Sequence, residues 1–180
     1  MTNKSNVMEM HVIKRSGKKE IISFDKILKR VKIIGKKLDL KNVIYAQLVM
    51  KVIDQLKDNI KTTNIDELTA QQCASMGSHH PDYTNLATAI TVSNLHKNTK
   101  DSFYETIKML HEFIDNNNNN YRLIHDDIMN IVNDNKEELD TIIDYDRDFL
   151  FDYFGFKTLE RAYLMKIDGV IVERPQHMWM

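Results

Sequence analysis

The sequence predicts a mainly α chain of the α+β class: an N-terminal β-hairpin and helical bundle, then further helices and a C-terminal β-hairpin. Three stretches predict it. In "HVIKRSGKKEIISFDK", residues 11 to 26, two short apolar-alternating runs flank Ser16-Gly17, and glycine suits the positive φ that hairpin turns require. From Asp25 the period changes to that of a helix, with Ile27, Val31, Ile34 and Leu38 recurring at helical spacing. Near the other end, "YLMKIDGVIVER" sets Asp-Gly between two β-branched-rich runs, a strong hairpin signal.

Taken in order, residues 10–15 and 19–24 read as the antiparallel strands of the first hairpin. Asp25 is the expected N-cap of the first helix, whose lysines, with Arg30, fall largely on its other faces. A second helix is expected over 42–57, with Ala46, Val49, Met50, Ile53 and Leu56 inward. In "KTTNIDEL", Thr63 and Asp66 stand in the relation of a capping box and open a third helix, with Ile65, Leu68, Cys73 and Met76 on its apolar face. "HHPDYTNL" breaks that helix at Pro81 and starts a fourth, which runs to about Lys97 through Leu86, Ile90 and Leu95. A further helix over 101–114 precedes the polar, low-complexity "DNNNNNY" at 115–121, read as a solvated loop. Helices near 122–133 and 136–143 follow, then an aromatic-rich stretch that ends in the second hairpin.

Composition narrows the class. With 42% hydrophobic and 28% charged residues the chain is globular rather than disordered. No apolar run nears the roughly 18 residues of a membrane span, and the first ten residues hold no secretory h-region, so a cytoplasmic protein is expected, with no membrane partner. A single cysteine, Cys73, makes neither an internal disulfide nor a cysteine-based zinc site, and suits a reducing compartment. The net charge of −1 hides an asymmetry: residues 1–60 carry 14 Lys/Arg against 6 Asp/Glu, and residues 101–180 carry 8 against 17. A basic front suits a phosphate-bearing ligand, whereas the overall balance argues against nucleic acid as a partner.

No catalytic motif stands out. Cys73 falls on an apolar helix face and reads as core. His79, His80 and Asp82 crowd a helix-ending turn, where adjacent histidines rarely converge on one metal, so no metal site is expected. Binding is better supported. Lys14 and Arg15 end one strand, Glu20 begins the other, and Lys26 opens the helix near the same end of the ribbon. Such a cluster suits phosphates, through the bidentate fork of Arg and the mobile charge of Lys. The start of the third helix adds backbone N–H groups. The same residues are equally a solvated face with an ordinary helix cap, and spacing leaves the two readings open.

The motifs "MHVIKRSGKKEIISFDKI", "AQLVMKVI", "TTNIDELTAQQCASM" and "HHPDYTNLATAITVSNLHKNTK", then "YDRDFLFDYFGFKTLERAYLMK" and "ERPQHMWM", carry a resemblance. The first four resemble the ATP-cone, the nucleotide-sensing module at the N-terminus of many ribonucleotide reductase large subunits. The last two resemble the region leading into the catalytic barrel of eukaryotic-type class I large subunits. The resemblance implies a disordered tail over 1–9, an ATP-cone over 10–100, and over 101–180 a helical large-subunit region truncated before the barrel. It implies ATP or dATP, with Mg, as allosteric effector, and no catalytic cofactor in this chain. Lys14 and Arg15 match the basic pair at the phosphates. Glu20, Ile21, Ile22, Ser23, Phe24, Asp25 and Lys26 match the segment that wraps the nucleotide, with Glu20 on the adenine side. Thr62 and Asp66 match positions near the sugar and phosphates, Asp66 being the candidate for telling ATP from dATP, and Lys97 a further position at the phosphates. Ser16 departs from the acidic residue common there.

Family chemistry in deoxyribonucleotide synthesis for DNA replication uses barrel and tail cysteines that have no counterpart here, so the chain alone is not expected to reduce ribonucleotides. The implied partners are that barrel, the small radical-generating subunit and other large subunits through the cone. Two alternatives compete. A cone-bearing transcriptional repressor needs a four-cysteine zinc ribbon, which one cysteine excludes. A regulatory or interaction module without reductase activity, with a merely solvated basic face, is distinguished by whether nucleotide binds.

Overall fold

The computed structural model describes residues 10–115 and 123–180. The expected tail over 1–9 and nearly all of the polar loop at 115–121 lie outside the described residues. The fold divides after Thr91 into two units.

In the first unit, β1 (His11–Ile13) pairs antiparallel with β2 (Lys19–Ile21). The turn between them is closed by the Gly17 N–H donating to the Lys14 carbonyl at 2.9 Å, and the Lys14 N–H donates to the Lys18 carbonyl at 2.9 Å. Gly17 takes φ +80°, where a side chain would be strained. This is a type I turn followed by a left-handed glycine, one of the common short hairpin connections. A third strand that the sequence did not announce, β3 (Ile60–Lys61), lies parallel to β1, with Ile13 opposite Lys61. Strand order is therefore β2-β1-β3. That register sets the basic turn and the start of α3 (Thr62–Ser75) at one end of the sheet.

The strands are shorter than expected because α1 (Phe24–Lys37) starts at once. Its N-cap is Ser23, not Asp25: the Ser23 hydroxyl accepts from the Lys26 N–H, and Asp25 lies in the first turn, where its charge favours the helix dipole. The inward face of α2 (Tyr45–Ile53) is also corrected. Leu48, Val49 and Val52 are buried, whereas Ala46 is exposed and Met50 is 56% exposed. Val49 belongs to both possible stripes, and packing selects the one with the bulkier partners. Val12, Val52, Leu56 and Ile65 form a core cluster, with Ile22, Ile27, Ile53, Ile60 and Leu68 packed against it, and this seats the hairpin on the helices. Cys73 is buried core, and desolvation pushes its thiol pKa up, away from reactivity. α4 (Pro81–Asn98) begins at Pro81 as expected.

In the second unit, α5 (Phe103–His111), α6 (Asp126–Asp134) and α7 (Lys136–Ile142) enclose Phe103, Ile107 and Val132. Asp140 accepts from the Ser102 hydroxyl and from the Phe103 N–H at 2.6 Å, which fixes the α5 start against α7. The aromatic-rich stretch folds into a 3-10 turn over Tyr145–Leu150, α8 (Tyr153–Thr158) and a π turn over Leu159–Tyr163. Phe156 and Leu164 from this stretch pack with Val92 and Leu95. The expected second hairpin forms from β4 (Lys166–Ile167) and β5 (Val170–Ile171), with Asp168 at φ 49° and Gly169 at φ 76°, the pair of positive values that an Asp-Gly type I′ turn needs. A short helix, α9 (Pro175–Met178), follows.

Candidate nucleotide site of the first unit

Two carboxylates organise the basic residues of the first unit. Glu20, on β2, draws in Lys26 at 2.8 Å, Lys14 at 3.4 Å and Lys18 at 3.9 Å. The Lys26 hydrogen bond is the chief reason the Glu20 carboxyl titrates below the usual carboxylate range. These side chains stay accessible, so each pair alone is weak. Together they hold three cations of the hairpin and of the first turn of α1 around one anion.

The second carboxylate is Asp66, on α3 and only 6% exposed. Arg30 of α1 donates to both of its oxygens, from Nε at 2.6 Å and from Nη2 at 2.8 Å, and Arg15 of the turn donates from Nη2 at 3.2 Å. The expected capping box therefore does not form. Lys61 is the α3 N-cap and supplies no side-chain bond, while Asp66 turns to the arginines, because a charged fork binds a carboxylate more strongly than a backbone amide does. Thr62 is the first residue of α3 and is half-buried; Thr63 donates to Asn64.

The structure thus brings Lys14, Arg15, Glu20, Lys26 and Asp66 together at one end of the sheet. Ile22 packs into the core cluster, Ser23 caps α1, Phe24 and Asp25 open it, and Ile21 is 56% exposed. Lys97 lies in the last turn of α4, in the second unit. Sequence reasoning missed Arg30, which it placed with the solvated lysines. The available signal was its type, as the one arginine of α1, next to the buried Val31. Lys18 joins the group as well, 3.9 Å from Glu20. Near the α4 start, Asp82 accepts from the Asn42 backbone and side chain, and His80 accepts from the Asp82 N–H, a local turn. Among the described residues no three His, Cys, Asp or Glu side chains converge as a metal site, and no helix is long and apolar enough to cross a membrane.

Residues 10–98 match the ATP cone domain family. The chain is 48% identical over 172 residues to the ribonucleoside-diphosphate reductase large subunit of Arabidopsis thaliana, a match covering 95% of this chain and 21% of that protein. It is 47% identical to the large subunit of Dictyostelium discoideum, over 96% of this chain and 20% of that protein. Against the Variola virus large subunit the identity is 45%, over 95% and 22%. The chain spans about a fifth of the length of these relatives.

Proposed function

Because the chain belongs to the ribonucleoside-diphosphate reductase large-subunit family and carries its ATP cone domain, we propose that the first unit binds ATP or dATP, with Mg, as an allosteric effector. The observation that carries this is the convergence of Lys14, Arg15 and Lys26 at the end of the sheet where α3 begins, with Arg30 held on Asp66 beside them. A triphosphate needs several cations together, and a helix start adds N–H donors. Lys14 and Arg15 contact the phosphates. The segment from Glu20 to Lys26 wraps the nucleotide, with Glu20 on the adenine side. Thr62 and Asp66 lie near the sugar and phosphates.

In the working enzyme this sensor regulates a catalytic barrel, acts alongside a small radical-generating subunit and biases the association of large subunits. Such coupling requires ATP and dATP to contact two assembly states differently. Isothermal titration of the chain with ATP and dATP tests the reading. Both bind, Lys14→Ala weakens both about tenfold or more, and Asp66→Asn changes the ratio of the two affinities. A folded chain that binds neither nucleotide rejects it.

A further inference from the structure

We infer that the Asp66 carboxylate is a built-in competitor of the phosphates for Arg15. The inference rests on the nucleotide-binding reading above and adds how the affinity of that site is set. The two arginines on Asp66 are not equivalent. Arg30 reaches across from the body of α1 and engages both oxygens, at 2.6 and 2.8 Å; Arg15 approaches Oδ2 from the hairpin turn at 3.2 Å. A bidentate fork on a helix is shorter, stronger and fixed in direction, whereas a longer bond from a turn is the one that yields to a competing anion.

When phosphate oxygens take Arg15, Asp66 keeps its bidentate partner. A buried carboxylate stripped of every cation would be strongly unfavourable, and the Arg30 pair prevents that. Arg30 is therefore a positioning residue: it holds Asp66 where it competes for Arg15, and it neutralises Asp66 once Arg15 has gone. Glu20 plays the same part for Lys14 and Lys26, but in solvent, where screening makes the competition mild. The buried carboxylate is the stronger brake. It lowers affinity for any polyphosphate and ties binding to release of the hairpin turn from α3.

The test uses inorganic tripolyphosphate, which has neither base nor sugar, so an effect of Asp66 on ribose cannot enter. Wild type and Asp66→Asn are titrated with it at matched salt, beside wild type with ATP. Asp66→Asn binds tripolyphosphate about threefold or more tightly than wild type. Equal or weaker binding overturns the competitor role, and ATP binding by wild type in that case leaves the nucleotide reading intact. If wild type does not bind ATP while the variant binds tripolyphosphate tightly, the nucleotide reading fails and the competitor role stands. Absence of tripolyphosphate binding by both proteins together with absence of ATP binding by wild type overturns both. Should circular dichroism show Asp66→Asn unfolded, Asp66→Asn/Arg30→Gln decides, because it removes both charges of the buried pair; it too must bind tripolyphosphate more tightly than wild type.

Discussion

His177 is 3% exposed and bonded at both ring nitrogens. The Arg174 backbone N–H points at Nδ1 from 3.5 Å, and Nε2 lies 2.7 Å from the Tyr145 hydroxyl, which in turn donates to the Asp101 carbonyl. This order of donors assigns the proton of the neutral ring to Nε2 and leaves Nδ1 as an acceptor. Close by, His96 meets the fully buried Asp148 at 2.6 Å, and Gln176 donates to the other oxygen of Asp148. Arg174 stacks on the Tyr145 ring at 4.6 Å and donates to the carbonyls of His96 and Thr99, closing the α4 C-terminus. Burial, followed by the nearby Arg174 charge, pushes the His177 pKa down to about 4. Since this lies below the ordinary value, the unfolded chain takes up a proton that the folded chain refuses as pH falls from about 6.5 to about 4. Stability is full above that window and falls on acidification, by on the order of 3 kcal/mol for this group. Melting temperatures of wild type and His177→Gln at pH 7 and at about pH 4.5 check it: the variant loses less on acidification, although it starts lower. The network was not legible in "ERPQHMWM", because Tyr145, Asp148 and His96, which His177, Gln176 and Arg174 meet, come from distant elements.

Gly35, at the level of elements, explains how α1 and α2 approach. A Cβ there would stand 2.2 Å from the Tyr45 hydroxyl oxygen and 2.8 Å from two ring carbons, and that hydroxyl donates to the Leu40 carbonyl at 3.0 Å. Gly35→Ala therefore destabilises by about 1–3 kcal/mol, against a helix-propensity gain of about 1 kcal/mol. Leu48→Ala, in the fully buried face of α2, costs about 2–5 kcal/mol. Urea unfolding measures both. The elements themselves were largely legible. Apolar period and turn chemistry placed both hairpins, Pro81 placed the start of α4, and Cys73 fell in the core as read. What escaped was pairing between elements. β3 is two residues long, too short for any pattern, and Asp66 looks the same in a sequence whether it caps its own helix or pairs across to α1. The basic turn was legible because its residues are neighbours in the chain. Arg30 was not, because it joins them only in space.

Across the whole molecule, charge is partitioned, with 14 Lys/Arg against 6 Asp/Glu in residues 1–60 and 8 against 17 in residues 101–180. The basic part carries the candidate site, so it attracts anionic ligands, and that attraction is screened by salt. Nucleotide affinity falls several-fold between about 0.05 and about 0.3 M salt, and the fall is shallower in Lys14→Ala, which has one cation fewer; titration at the two salt concentrations measures it. The acidic second unit holds the His177 and Asp148 network and gives the large-subunit resemblance its reach beyond the cone, since the cone match ends at residue 98 while the identity to large subunits covers 95% of the chain. The measurement that bears most directly on a nucleotide-sensing first unit is isothermal titration of the 180-residue chain with ATP, beside Lys14→Ala at the same salt. Saturable binding by wild type, weakened about tenfold or more in the variant, is the predicted result. A folded wild-type chain that releases no heat of binding, or a Lys14→Ala variant that binds as tightly as wild type, would contradict it.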